Sequence, residues 1–252
     1  MVDYIIIGAG SAGCVLANRL SADPGLQILV LEAGPSDQAL EVKIPAAFSK
    51  LFKTPRDWAL ETEADPRCDG RRHFWPQGKM LGGSSSINAM ICMRGNRRDY
   101  DRWAALGNRG WAYADLLPFF KRAENQHRGA DAFHGASGPL DVADQIEPNP
   151  LSRAFVAAMQ ALGYPENPDF NAQEQDGAGL FQVTQRHGRR ASAASAYLKP
   201  AMRRSNLRVR TGARVNRIVI TGGRATGVVV DRGAREEVVE ARRGVIVSAG
   251  AL

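Results

Sequence analysis

Three features of the sequence predict an α/β fold built on a parallel sheet. A β-branched run, Tyr4 to Ile7, passes through three glycines into apolar residues at helical spacing. A second apolar run, Ile28 to Leu31, follows one helix later, and several short strand-like runs close the chain. Strand, helix and strand at that spacing form a βαβ unit, whose two strands lie parallel in one sheet.

The bulk numbers agree with a folded, non-fibrous protein. With 252 residues the chain can bury a large core as one large domain or two modest ones. A composition of 44% hydrophobic and 23% charged residues, without an internal repeat, excludes disordered and repeat classes. No apolar run is long enough to cross a bilayer and no basic segment precedes the first one, so a soluble, cytoplasmic protein is expected. Cys14, Cys68 and Cys92 are odd in number and lack CxxC spacing, which fits unpaired thiols in a reducing compartment and no metal. The net charge of +7 comes from 33 basic and 26 acidic residues, with arginine pairs scattered among Ala and Gly. Such pairs read as solvated faces. Nucleic-acid binding would need a basic stripe interleaved with stacking aromatics, and none is present.

In the opening stretch "DYIIIGAGSAGCVLANRL", Gly8 permits the tight turn, Gly10 lets backbone approach a pyrophosphate, and Gly13 allows close helix–strand packing. Ser11 begins the helix, whose N-terminal amides and dipole favour phosphate. The second strand ends in Glu32, nineteen residues beyond Gly13, where an acidic side chain bonds the adenosine ribose hydroxyls. Its carboxylate would repel a 2′-phosphate, which argues against NADP and leaves NAD or FAD.

From Pro35 to Trp75 the chain is irregular, broken by Pro45, Pro55 and Pro66. Next come Gly82-Gly83 and Ser84 to Ser86, a second place where backbone can approach a phosphate, with hydroxyls placed to cap a helix beginning there. A plain glycine loop with a serine cap describes the same residues. Helices are expected near Arg98 to Leu106, Tyr113 to Asn125 and Leu151 to Leu162. Strands follow at Leu207 to Arg210, Val215 to Thr221, Ala225 to Val230, Glu237 to Ala241 and Gly244 to Ser248, with Gly222-Gly223 as a hairpin turn.

The segments "GAGSAGCVLANRLS", "LEAGP" (Leu31 to Pro35) and "GKMLGGSSSINAMICMRGNRRDYDRW" (Gly78 to Trp103) closely resemble the glucose/methanol/choline family of FAD-dependent oxidoreductases, in its choline dehydrogenase and bacterial alcohol dehydrogenase branch. The likeness continues through "GPL", "SAASAYLKP" and "NLRVRTGARVNRI" and covers essentially the whole chain. It implies a Rossmann-like FAD-binding domain, with a β-meander added to the parallel sheet, and the start of an α+β substrate domain. Residues 1–110 would supply the first part of the FAD domain, 111–190 the start of the substrate or cap region, and 191–252 a return to the FAD domain. By the same resemblance Gly8, Gly10, Ser11 and Gly13 form the pyrophosphate turn, and Glu32 is the ribose ligand. Met80 and Ser84 run alongside the flavin; Asn88, Ala89, Met90 and Ile91 face its ring; Val215 touches the adenine through its backbone.

Ile87 stands where some family members carry a histidine bonded to the flavin, so FAD is expected to be non-covalent. Cys92 replaces an aromatic or alanine of the pattern and is expected in a pocket wall. The resemblance further implies hydride transfer from the CH–OH carbon of a small alcohol to the flavin, with oxygen or a quinone as acceptor. His73, His127, His134 and His187 each have a surface, capping or turn reading, and no catalytic group is assigned among them. The family's catalytic histidine pair lies toward a C-terminal half, and Gly250-Ala251-Leu252 resemble the opening of a second signature. The chain is therefore expected to be an N-terminal portion, with a C-terminal part missing and apolar surface exposed. A non-catalytic flavin-binding module, or one half of a split enzyme, is the alternative; an NAD-linked dehydrogenase ranks below both.

Overall fold

The computed structural model describes residues 1–231, 233 and 235–252. The chain forms two compact units, one made of Met1–Ala89 and Ser192–Leu252 and the other of Met90–Ala191.

The first unit is organised by a six-stranded sheet. Its strands are β1 (Val2–Ile7), β2 (Ile28–Leu31), β3 (Leu207–Arg210), β4 (Val215–Thr221), β5 (Arg224–Asp231) and β6 (Glu236–Val247), in the order β4-β5-β6-β1-β2-β3. Ile5, Ile6, Val30 and Leu31 are buried at the centre, as expected for β-branched and leucine side chains covered on both faces. β1 pairs in parallel with both β2 and β6, and β2 with β3; β4, β5 and β6 form the antiparallel meander. The predicted α/β class and the added meander are both present.

One correction concerns β6, where the sequence suggested two strands, Glu237 to Ala241 and Gly244 to Ser248. They are a single strand of 12 residues. Its first part, Glu236 to Glu240, pairs with β5, and Ala241 to Val247 pairs with β1, with a register irregularity opposite Val2 to Tyr4. Arg242 and Arg243, a pair read as solvated and falling between the two expected strands, are held in the strand by Asp3, buried on β1, at 3.2 and 3.3 Å.

Helix α1 (Ser11–Leu20) buries Gly13, Cys14 and Ala17. Its C-terminal end is tied down from far along the chain. The Asn206 side-chain amide donates to the carbonyls of Ser21, Asp23 and Leu26, and Arg204 donates to Asn18 O and to Ser21 Oγ. The region from Pro35 to Trp75 is less irregular than expected: Leu40–Lys43 is helical and Pro45–Leu51 forms 3-10 turns, giving a small core of Val42, Leu51, Met80 and Ile87. A second correction falls on Gly82-Gly83. No α-helix starts there; Gly83–Ser86 is a 3-10 turn whose N-cap, Gly82, has φ +89° and no side-chain cap. The serine hydroxyls act as donors instead, Ser85 to Gly82 O and Ser86 to Leu81 O, closing a tight loop rather than opening a helix.

The second unit carries α2 (Arg97–Ala105), α3 (Tyr113–Ala123) and α4 (Pro150–Ala161), begun by Asn96, Ala112 and Asn149 at their N-caps. Its interior holds an ionic cluster. Arg94 Nη2 lies 2.7 Å from Glu124, and His134 bridges Glu124 (Nδ1, 3.0 Å) and Asp169 (Nε2, 3.1 Å). His134, read from sequence as a turn residue, is 1% exposed. Hydrogen bonds to Asp169 and Glu124 outweigh burial and push its imidazolium up to about 9. Burial opposes ionisation of Asp169, yet the bonds from His134 and the Asn171 amide, with Arg128 nearby, hold its carboxyl below the usual range. Arg190, of the supposedly solvated pair Arg189-Arg190, is likewise buried, and burial lowers its guanidinium to about 10.

Candidate cofactor-binding site

A cavity of about 800 Å³ opens at the C-terminal ends of β1 and β2, entirely within the first unit. This is where open parallel sheets bind ligands.

The three glycines of the opening turn have different reasons to be glycine. Gly8 sits at φ +91°, and a Cβ there would lie 2.6 Å from Ser248 O. A Cβ on Gly13 would lie 2.0 Å from the Gly8 carbonyl oxygen, so helix and strand can pack only without it. Gly10 differs: its φ is −74°, and a Cβ would meet nothing nearer than 3.9 Å. The protein alone does not require glycine at 10, and the absence of a side chain leaves the backbone open toward the cavity. Gly10 is also the N-cap of α1 and supplies no side-chain cap, so the first-turn amides stay available to an anion where Ser11 and Ala12 line the cavity.

The second glycine segment lies directly on this turn. The Gly82 amide donates to Ala9 O at 2.7 Å, and a Cβ on Gly83, at φ +51°, would come within 2.7 Å of Gly10 Cα. Ser84 lines the cavity, and its hydroxyl accepts from the Gly78 amide. Two stretches some seventy residues apart in sequence therefore converge on one groove.

Glu32 forms part of the wall and is 5% exposed. Its two carboxylate oxygens accept from the Ala9 amide at 2.8 Å and the Gly34 amide at 2.9 Å. Burial pushes the carboxyl above the usual range, while the Gly34 and Ala9 bonds hold it down. The Ala33 amide is a third backbone donor to this carboxylate, which still keeps acceptor capacity beside the cavity. Val215 lines the same cavity, and so do Trp58, Gln77, Arg214 and Ser248, which sequence reasoning did not single out. No local motif marks these four, because tertiary folding alone brings them to the groove.

The remaining predicted residues lie elsewhere. Met80 is fully buried against Val42, Leu51 and Ile87, so its side chain belongs to the core. Asn88 and Ala89 are exposed at the end of the first unit and do not line the cavity. Met90 and Ile91 belong to the second unit, where the Met90 carbonyl accepts from the Thr184 amide and Ile91 bridges to Val183. Cys92 is part of that unit as well, and burial raises its thiol to about 11. No histidine lines the cavity. His73 and His187 are exposed, His127 bonds Asp141, and His134 is locked in the ionic cluster.

A glycine cradle, an uncapped helix N-terminus and a buried carboxylate on the cavity wall suit a dinucleotide. A family model described as GMC oxidoreductase matches residues 2–252. The chain belongs to the GMC oxidoreductase family.

An oxygen-dependent choline dehydrogenase of Sinorhizobium fredii is 50% identical over 249 residues, covering 98% of this chain and 45% of that protein. A GMC-type oxidoreductase of Mycobacterium bovis is 47% identical over 254 residues, covering 99% and 48%. Among solved structures, pyridoxine 4-oxidase from Mesorbium loti superposes with a TM-score of 0.95 at 38% identity, over 100% of this chain and 50% of that one. The chain thus spans about half the length of the relatives it matches. An FAD-dependent oxidoreductase from Chaetomium thermophilum superposes with a TM-score of 0.92 at 28% identity. FAD, as the resemblance implied, is the cofactor for which this GMC domain is built, and the residues lining the cavity fit it. No helix among the described residues is long and apolar enough to cross a membrane.

Proposed function

We propose that the protein carrying this chain is an FAD-dependent oxidoreductase that oxidises the CH–OH group of a small alcohol to a carbonyl. The observation that carries the reading is the convergence of Gly10, Glu32, Gly83, Ser84 and Val215 on one cavity. A bound flavin would supply the acceptor for a hydride from the carbinol carbon, with oxygen or a quinone as the final electron acceptor. The α1 N-terminus and the Gly10–Gly83 contact hold the pyrophosphate, Glu32 fixes the ribose, and the walls exclude water from the groove. The hydroxyl proton needs a base, and no histidine lines this cavity. The base is therefore assigned to residues outside this stretch, as the family resemblance implies.

FAD is held without a covalent bond in this reading. Ile87 offers no nucleophile, and its side chain, 2% exposed, packs among Val42, Leu51 and Met80. A cytoplasmic location accompanies the reading, consistent with the unpaired Cys14, Cys68 and Cys92.

The test is expression of the gene at its full length. A yellow protein is expected, with flavin released intact on denaturation, that turns over members of a panel containing choline, pyridoxine and simple aliphatic and aromatic alcohols. A colourless protein, or one without activity on any primary or secondary alcohol, overturns it. Flavin binding without turnover by the full-length protein would favour the alternative, a flavin-binding module.

A further inference from the structure

The segment "SAASAYLKP" carries part of the family likeness, yet none of its residues lines the cavity. Its local structure is uncommon. Ala194–Leu198 is a π-helical turn, in which the Lys199 amide reaches back five residues to the Ala194 carbonyl. Such turns are rare and concentrate at functional sites, because the wider turn re-aims the groups around it. This one is anchored on two sides. The Asn18 side-chain amide, from α1, donates to Tyr197 O at 2.8 Å, and Lys199 Nζ lies 2.6 Å from Asp37, a buried carboxylate in the stretch after β2.

The anchored turn bears on the glycine loop through one hydroxyl. Ser85 Oγ accepts from the Ala193 amide at 2.9 Å and donates to the Gly82 carbonyl at 2.6 Å. Ala194, fully buried, backs the same glycine: a Cβ on Gly82 would lie 3.1 Å from the Ala194 Cβ. The Gly82 amide is held in turn by Ala9 O at 2.7 Å, so Gly82 is fixed through both its N–H and its C=O. The next residue is Gly83, which lines the cavity and approaches Gly10 too closely to admit a Cβ. With that clearance, a displacement of Gly82 moves the edge of the groove itself. Ser85 is not among the residues lining it.

We propose that Ser85 is a positioning residue for the pyrophosphate of the cofactor: its hydroxyl passes the hold of the Ala194–Leu198 turn to the Gly82 carbonyl and so keeps Gly83 seated against Gly10. The proposal rests on the cavity being the FAD site, and it deepens that reading by assigning the placement of the glycine loop to a side chain outside the groove. Removing the hydroxyl takes a partner from the Gly82 carbonyl and from the Ala193 amide at once, and the loop is then free to leave the arrangement that binds. A fall of the competent arrangement to about a tenth of the population weakens binding about tenfold.

The test is calorimetric titration of the flavin-stripped, full-length protein with FAD, with ADP, which carries a pyrophosphate, and with adenosine, which carries none. Ser85→Ala is expected to bind FAD and ADP about tenfold more weakly than wild type and adenosine within about twofold. A side chain that served stability alone would not separate the two ligands in this way. ADP affinity unchanged by Ser85→Ala, or an equal loss for adenosine, overturns the proposal while FAD binding by the wild type leaves the cavity reading intact. Failure of the wild type to bind FAD overturns both. Should Ser85→Ala not fold, Ser85→Cys, which keeps a side chain of similar shape and weakens both hydrogen bonds, is read by the same criterion, with a loss of about threefold or more for ADP alone expected.

Discussion

His134 shows how one side chain can hide its role in a sequence and declare it in a structure. In "FHGASGPL" it reads as a turn residue, yet its two ring nitrogens join Glu124 and Asp169, from segments ten and thirty-five residues away in opposite directions. A lone buried imidazolium would be costly; two carboxylates and Arg94 on Glu124 make the charged form the stable one. The sign of the pH effect follows. The folded value, about 9, lies above the ordinary value near 6.5. The stabilisation is therefore complete below roughly pH 6.5 and is lost as pH rises through about 9. Thermal or denaturant midpoints of wild type should fall across that window, by on the order of 3 kcal/mol in unfolding free energy. His134→Gln should start lower and stay flat by comparison; parallel pH profiles for the two proteins would show that His134 is neutral in the fold.

At the scale of elements, the opening βα turn was the most legible part of the chain, because its glycines answer to backbone geometry that sequence spacing fixes. Structure adds that they answer to different masters. Gly13→Ala forces a Cβ onto the Gly8 carbonyl and should cost roughly 3 kcal/mol or more, seen as a lowered melting temperature of the flavin-free protein. Gly10→Ala meets no protein atom within 3.9 Å, so the flavin-free melting temperature should hold or rise slightly. FAD affinity should nevertheless drop more than tenfold, because the methyl group occupies the space of the pyrophosphate. A Gly10→Ala variant that binds FAD normally would remove the ligand-based reason for that glycine. Less was legible where long-range partners decide. The serines after Gly83 look like helix caps until their hydroxyls are seen turning back to the Leu81 and Gly82 carbonyls. Arg242-Arg243 looks like a break between strands until buried Asp3 on β1 is seen holding both in β6. Trp58 and Arg214 sit in no motif and reach the groove only through tertiary folding.

At the scale of the whole molecule, the way β6 divides its pairing leaves an edge. Among the described residues, β5 pairs with β6 only as far as Glu240, and the Arg224 side chain covers the carbonyls of Arg242 and Arg243 beyond it. From Gly244 to Val247 one edge of the strand pairs with β1, the other has no strand beside it, and Val247 is 61% exposed. An open, β-branched edge is a template for pairing with another chain. Opposing this is the net charge of +7, which keeps copies apart at low salt and is screened within about 10 Å at 0.1 M. The 252-residue chain by itself should therefore self-associate, increasingly so with protein concentration and with added salt, the reverse of the trend for charge-driven contacts. Val247→Lys places a charge on the edge and should shift the sedimentation profile toward monomer at every salt concentration. Association that weakens with salt, or that Val247→Lys leaves untouched, would assign the contact to a charged face and clear this edge of a role in it.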